Sequence, residues 1–322
     1  IQELLESMAI PVVKVPGWEG DDILGTIAAR DEALGYETLL VTEAGNTVTV
    51  TVGDTVYTFD LLRGTLAGIT DCGRALLSSP AALSVWRAPI DNDRIVKVNW
   101  KQVGLDRLTD ICYEAKAVPE EGRFVLSTKH GLAPLSRKPL ISCTVTYTVD
   151  KSGALTVDCD ASVEEKLPPL PRFGFDLVLP EGSETLSYFG YGPGDSYSDK
   201  RLSTRKSLFF TTVTENYEHA VRPQESGNHY GTEFAQITSP TGQGLRVTSP
   251  QGLELNALHY SEKQLEKTAH DCDLVPSEKT YLSLNYRQTG IGSSSCGPSR
   301  SPEHTLAETS FRFGFKIEPV RS

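Results

Sequence analysis

The nine residues Trp86–Arg94 carry side chains that could bind a polar ligand or order a loop. An aromatic ring and a cation are followed by three small polar residues. Pro89 fixes its own φ and has no N–H to give to a sheet. Asp91, Asn92 and Asp93 are types whose side chains bond to nearby backbone in turns. The run therefore predicts a strand end that continues into an ordered polar loop.

Three later segments are also polar and rich in turn-forming residues. They are Tyr188–Arg201, Arg222–His229 and Gly290–Pro298. The first contains Gly-Pro-Gly-Asp and Tyr-Ser-Asp-Lys-Arg, the second Pro-Gln-Glu-Ser-Gly, and the third Gly-Ile-Gly and three serines before a Cys-Gly-Pro.

Taken together, the four segments resemble the C-terminal β-sandwich domain of family 2 β-galactosidases. They match its Trp-Arg-Ala-Pro run, its Gly-Pro and Tyr-x-Asp-Arg turn, its Pro-Gln-Glu-Ser-Gly loop and its late glycine-rich loop, in that order. One match would be weak, but chance matches are not expected to keep their order. The resemblance covers about residues 45–322 and implies either such a domain or the small subunit of an enzyme that is split into two chains.

The resemblance also implies what this chain does not do alone. The family hydrolyses terminal β-D-galactosides such as lactose with retention, which needs two carboxyl groups. Both are glutamates of a separate barrel domain, the acid within an Asn-Glu pair, and this sequence has no Asn-Glu dipeptide. We therefore predict no catalytic residue here, no activity alone, and a barrel-bearing catalytic chain or a homo-oligomer as partner. The intact family enzyme commonly uses Mg and Na, and we predict no cofactor or metal site in this chain.

The resemblance suggests several residues for contact with a β-galactoside in the assembled enzyme. The late loop of the family reaches the active site and can hold a tryptophan that stacks on the sugar. Cys296, beside Ser295, takes that position here. The other candidates are Arg87, Asp91, Asn92, Asp93, Glu225 and His229. The alternative for these is structural, since loop residues often only order the loop, and we favour a polar turn in which Arg87 pairs with an aspartate.

The first 43 residues differ from the rest of the chain. They predict a helix over Asp21–Leu34 and a buried strand over Glu37–Val41, which is an α/β pattern. They resemble a fragment of the 5′-nuclease domain of DNA polymerase I, where the aspartates matching Asp21 and Asp22 help to bind metal. The other acidic ligands are missing, and a metal nuclease needs several convergent carboxylates. We therefore expect a non-functional appendage over residues 1–43 and the β-sandwich domain over 44–322.

Beyond residue 44 the pattern is that of a mainly β protein. Alternating apolar residues separated by turn clusters predict a large antiparallel β-sandwich, a type that also resembles the sandwich of galactose mutarotases and other aldose epimerases. A short helix is predicted over Ser261–Ala269. The ten predicted strands are Thr47–Val52, Val56–Leu61, Ile141–Val149, Leu155–Val163, Phe173–Leu179, Ser207–Val213, Glu233–Thr238, Leu245–Ser249, Tyr281–Tyr286 and Glu308–Ile317.

Bulk properties narrow the remaining function classes. The chain has 322 residues and a net charge of −11, which argues against nucleic acid and acidic membranes as partners. No secretion signal or long apolar run is visible, and the six cysteines have no metal-ligand spacing, so we expect a cytoplasmic protein with reduced thiols. A free-standing carbohydrate-binding or sugar-epimerising module is the alternative function, and a metal-dependent nuclease is a remote one.

Overall fold

The computed structural model describes residues 39–120, 122–294 and 297–321, which form two antiparallel sheets and two short helices. The predicted helix Asp21–Leu34 lies outside the described residues. The smaller sheet has five strands in chain order: β1 (Leu39–Ala44), β2 (Thr47–Val52), β3 (Thr55–Asp60), β4 (Thr65–Asp71) and β5 (Arg74–Ala75).

The larger sheet contains twelve strands. They are β6 (Ser79–Ser84), β7 (Thr109–Glu120), β8 (Arg123–Ala133), β9 (Ile141–Asp150), β10 (Leu155–Val163), β11 (Arg172–Leu179), β12 (Thr185–Gly192), β13 (Arg205–Thr212), β14 (Asn228–Thr238), β15 (Gly244–Leu258), β16 (Thr280–Gln288) and β17 (Ser310–Val320). The order is β13-β12-β14-β15-β17-β10-β9-β8-β7. The first half of β15 pairs with β17 and its second half with β16, so that β16, β11 and β6 form a branch.

Aromatic side chains join the layers of the sandwich. The Phe59 ring of the smaller sheet lies 5.5 Å from the Phe124 ring and 5.5 Å from the Tyr147 ring, measured between centroids. On the branch, the Phe173 ring of β11 meets the Phe311 ring of β17 edge-on at 5.0 Å. All five rings except that of Phe311 are 0–2% exposed. The alternating strands therefore bury one face each in a common core, and the predicted β-sandwich is confirmed.

The predicted helix near residue 261 is confirmed as α2 (Glu262–Lys267), where the Ser261 hydroxyl accepts the Gln264 N–H at 3.3 Å. A second helix, α1 (Val96–Val103), was not predicted. It ends at Gly104, which has a φ of +93° and stops the helix in the left-handed conformation.

The strand predicted as buried over Glu37–Val41 is, at its described residues Leu39–Val41, part of an exposed edge strand. Residues 39–44 pair with β2 on one side only, and Leu40 is 40% exposed. The strand itself is present, but its predicted burial was wrong because an apolar run alone does not distinguish a central strand from an edge strand. The strand crosses the position near residue 43 where we divide the chain, and that division stays a prediction.

Candidate functional site

The four polar segments meet at one cleft with a volume of about 520 Å³. We call it the four-loop cleft. Its lining draws on every segment: Asp91 and Asn92 from the first, Asp195 and Lys200 from the second, Gln224 and Glu225 from the third, and Ile291 and Gly292 from the fourth. Segments that are far apart in sequence thus present carboxylate, amide, ammonium and backbone groups to the same space. Such groups are hydrogen-bond partners for a hydroxyl-rich ligand.

A buried ion pair lies beneath this cleft. Arg87 Nη2 lies 3.0 Å from Asp93 Oδ2 and 3.1 Å from Oδ1, and both side chains are 0% exposed. Arg300 Nη2 donates to the same carboxylate at 3.2 Å. Arg87 also donates to the main-chain carbonyls of Thr289 and Gly290. Arg87 is therefore paired with an aspartate, as the structural interpretation predicts. A direct substrate contact by Arg87 or Asp93 stays a prediction.

The backbone of residues 289–292 is held by side chains of the first and second segments. Asp199 Oδ1 accepts the Ile291 N–H at 2.8 Å, and Oδ2 accepts the Gly292 N–H at 2.9 Å. Asn92 Nδ2 donates to the Ile291 carbonyl at 2.7 Å. We call Arg87, Asn92 and Asp199 the backbone clamp.

The clamp explains why the late loop begins with glycine. A Cβ on Gly290 would lie 2.4 Å from the Asp199 Cγ, inside any allowed contact. The carboxylate can approach the backbone closely only where no side chain intervenes. The start of the late loop is thus fixed in position by tertiary contacts.

Glu225 is buried at the edge of the four-loop cleft. Its Oε1 accepts Asn256 Nδ2 at 3.1 Å, and its backbone N–H donates to the Ala88 carbonyl at 3.2 Å. Burial raises the pKa of the Glu225 carboxyl, and the positive charges of Arg172 and Arg87 oppose this shift. Glu225 therefore ties the third segment to the first. Its predicted contact with substrate is untested.

His229 lies behind the cleft lining with 0% of its surface exposed. Its ring stacks on Tyr188 with centroids 3.8 Å apart, and Nε2 lies 2.7 Å from Asn216 Oδ1. The Asn216 amide donates its own N–H groups to carbonyls, so its oxygen accepts a hydrogen bond from the N–H of the imidazole Nε2. Burial lowers the pKa of His229 to about 3. The ring is therefore a neutral packing group in this chain, and its predicted substrate contact stays a prediction.

The burial of His229 should make the free energy of unfolding depend on pH. The folded state holds His229 neutral, whereas the unfolded chain takes up a proton below a pH of about 6.5. We compare the free energy of unfolding of the wild-type chain with that of His229→Gln. The difference in favour of the wild type should shrink by about 1.4 kcal/mol for each pH unit below about 6.5. Urea unfolding at several pH values measures this difference. His270→Gln, at an exposed position, is the control, and a pH-independent difference for His229→Gln would contradict the burial argument.

Ser295, Cys296, Asp21 and Asp22 lie outside the described residues. Among the described residues, no group of three or more His, Cys, Asp or Glu side chains is arranged to hold a metal ion. That this chain holds neither Mg nor Na stays a prediction, and no catalytic step is assigned to either. No helix in the same part is long and apolar enough to cross a membrane.

Sequence analysis missed Arg300 and treated Asp199 only as part of a turn. Arg300 is one of the two arginines that contact the Asp93 carboxylate, although it lies 207 positions further along the chain. No local pattern marks such a pair. For Asp199, the glycines at 290 and 292 were the available signal, since they mark a place where another group comes close to the backbone.

Comparison with known proteins identifies the relatives of this chain. It is 34% identical to a beta-galactosidase of Staphylococcus xylosus over 296 residues, which is 92% of this chain and 30% of that protein. It is 31% identical to a beta-galactosidase of Actinobacillus pleuropneumoniae over 265 residues, 82% of this chain and 26% of that protein. The chain therefore spans less than a third of the length of these relatives.

A family model described as "Beta galactosidase small chain" matches residues 51–317. The chain belongs to this family. Among solved structures, it is similar to galactose 1-epimerase from Lactobacillus acidophilus NCFM, with 10% identity, 88% of this chain and 99% of that chain covered, and a TM-score of 0.39. A likeness at that level carries no argument about function.

The resemblance of the first 43 residues to a nuclease is not borne out. The match to the Staphylococcus xylosus protein covers 296 residues of this chain, which is more than the number of residues that follow residue 43. It therefore extends into the first 43 residues. Two acidic residues at a predicted helix start are common in unrelated proteins because they favour the helix dipole, and this is why the short motif misled.

Proposed function

We propose that this chain completes a retaining β-galactosidase as its non-catalytic domain or small subunit. The substrates would be terminal β-D-galactosides such as lactose, and a barrel-bearing catalytic chain would supply both catalytic glutamates. The observation that carries the proposal is the backbone clamp beside the four-loop cleft. It fixes the start of the late loop in a chain whose family model covers residues 51–317.

The chain's own residues would act by positioning. In this proposal the late loop reaches the rim of the active site and brings Ser295 and Cys296 close to the bound sugar. The clamp supports this because a fixed loop presents its groups without the entropy cost of ordering them on binding. Asp91 and Asn92, at the cleft surface, would then orient sugar hydroxyls through hydrogen bonds.

The sandwich would also stabilise the assembled enzyme. Its core is continuous from the smaller sheet to the branch, so the loops stand on a rigid support. A site supported in this way keeps its geometry within the narrow limits that catalysis requires.

Hydrolysis of a chromogenic β-galactoside tests the proposal. The full chain is assayed alone and then with a fragment of the Staphylococcus xylosus enzyme that lacks the part matched here. We expect no activity from either alone and activity on mixing. The positive control is the same fragment with its own missing part. Activity of the chain alone, or a failure to complement while the control succeeds, would contradict the proposal.

A further inference from the structure

A second cavity, of about 350 Å³, opens next to the four-loop cleft and is lined by an unusual number of cations. Lys97 and Lys101 extend from one side of α1, and Lys263 and Lys267 from one side of α2, each pair four residues apart. Arg222 completes the group. We call this cavity the basic cleft. Its lining holds five cationic side chains but only two carboxylates, Asp91 and Glu266.

Among the described residues, ion-pair contacts account for one of the five cations. Lys101 Nζ lies 2.6 Å from Glu266 Oε1, and Trp86 Nε1 donates to the other oxygen of this carboxylate at 3.0 Å. Glu266 is thus fully engaged. Across residues 39–120, 122–294 and 297–321, no carboxylate lies within ion-pair distance of the remaining four: Lys97, Arg222, Lys263 and Lys267.

Such an arrangement is unfavourable in the isolated chain. Like charges four residues apart on a helix repel each other, and this happens on both α1 and α2. The surrounding chain has a net charge of −11, so its long-range field does not attract anions to the cleft. Because salt screens charges beyond about 8 Å in physiological conditions, the excess of positive charge acts only on an anionic group in contact with the cleft.

The position of the basic cleft indicates where such a group would come from. Pro89, Ile90, Asp91 and Gln224 belong to the first and third polar segments, and Ile90, Asp91 and Gln224 line both clefts. The basic cleft and the four-loop cleft are therefore parts of one surface. In the proposed function this surface faces the catalytic chain.

We propose that the basic cleft is the docking site for an acidic segment of the catalytic chain. Carboxylates of that segment would pair with Lys97, Arg222, Lys263 and Lys267 when the two chains meet. Charge complementarity then sets the register of the two chains and places the four-loop cleft over the active site. This inference rests on the proposed function and adds the chemistry of its contact surface.

The test is a charge reversal at the two lysines of α2. Both Lys263 and Lys267 are exposed and take no part in the Glu266 contacts, so the double variant Lys263→Glu/Lys267→Glu should fold. We expect it to need about tenfold more chain for half-maximal complementation of the Staphylococcus xylosus fragment. We also expect wild-type complementation to weaken between about 50 mM and 300 mM NaCl, and that of the variant to lose this sensitivity.

The matched control is Lys138→Glu/Lys151→Glu, which changes the net charge equally at exposed positions outside the basic cleft. Equal weakening in both double variants, or wild-type behaviour in the first, would overturn the docking proposal. Complementation by the wild-type chain in the same assay would still uphold the proposed function. If the wild-type chain fails to complement where the positive control succeeds, both proposals fall.

A separate readout distinguishes a protein partner from a small anion. The Trp86 ring lies 5.9 Å from Lys101 Nζ, and its N–H contacts Glu266, so the tryptophan fluorescence, to which Trp86 contributes together with Trp18 and Trp100, responds to changes at this cleft. Titration with inorganic phosphate should leave the fluorescence unchanged at millimolar concentrations. A saturable change that is lost in Lys263→Glu/Lys267→Glu, together with unchanged complementation, would make the cleft a small-anion site and overturn the proposal.

Discussion

The substitution Asp93→Asn should lower the free energy of unfolding by about 3–5 kcal/mol. The Asp93 carboxylate lies between the guanidinium groups of Arg87 and Arg300, at 3.0 and 3.2 Å, and it is 0% exposed. An amide has nearly the same shape, so the variant removes the charge and leaves the packing. Two buried cations would then face each other without the carboxylate between them, and Arg300 would keep only its longer contact of 4.0 Å with Asp199. Urea denaturation followed by tryptophan fluorescence measures the loss.

The control for this prediction is Asp160→Asn. Asp160 pairs with Arg312, but the two side chains are 46% and 82% exposed, so its loss should cost at most about 1 kcal/mol. The double variant Asp93→Asn/Arg87→Met should recover part of the stability, because a buried pair can be replaced by apolar groups. A cost for Asp93→Asn no larger than that for Asp160→Asn would mean that the pair is not buried in solution.

Asp199→Asn should reduce complementing activity about a hundredfold while the chain stays folded. The side chain of Asp199 is 4% exposed and accepts two adjacent N–H groups, those of Ile291 and Gly292. An asparagine keeps one acceptor and turns a donor towards the second N–H. The late loop would then shift, and a displacement of about 1 Å at a site that positions substrate costs about a hundredfold in rate.

Two measurements decide this prediction. Hydrogen exchange at Ile291 and Gly292 should be faster in the variant by about tenfold or more, since hydrogen bonds to charged groups contribute about 1.5–3 kcal/mol. Asp158→Asn, at an exposed position on β10, should change neither exchange nor activity. Unchanged exchange would contradict the clamp. Faster exchange with full activity would mean that the late loop has no part in the active site.

The sequence was sufficient for strands that alternate regularly between core and solvent. The predicted bounds of Leu155–Val163 coincide with β10 because every second residue there is apolar. The two halves of β15 (Gly244–Leu258) behave differently. Only its start was predicted, because residues 250–252 interrupt the pattern with exposed or half-buried positions and residues 253–258 are buried on both faces next to β14 and β16, so neither part has a period of two.

The hairpin of β7 and β8 was missed because β7 has many exposed residues, whereas the end of β15 has many buried ones. Most of the residues of β7 are exposed, and its outward positions include Glu114 and Lys116. A strand at the edge of a sheet needs few apolar residues, so its pattern resembles that of a loop. The helix α1 was missed because Trp100 is its only fully buried residue, while Val96 and Val103 at its two ends pack against the core only in part.

For the site, the residue types of each loop could predict that the loop is ordered, but not which other loop it contacts. The pairing of Arg87 with an aspartate followed from the two residue types in one short loop. The contacts of Asn92 and Asp199 with the late loop could not be predicted in this way. Asn92 precedes its partner Ile291 by 199 positions, and Asp199 precedes the same residue by 92 positions. Only the topology of the sheets brings these segments together.

The distance along the chain between Arg87 and the carbonyls that it binds also determines when the cleft can form. The carbonyl of Thr289 follows Arg87 by 202 residues, so at about 5–20 residues per second it leaves the ribosome about 10–40 s later. During that interval the guanidinium must stay hydrated, because burial without partners is too costly. The upstream strands can pair as they emerge, but this end of the sandwich is completed only after Thr289 and Gly290 have emerged.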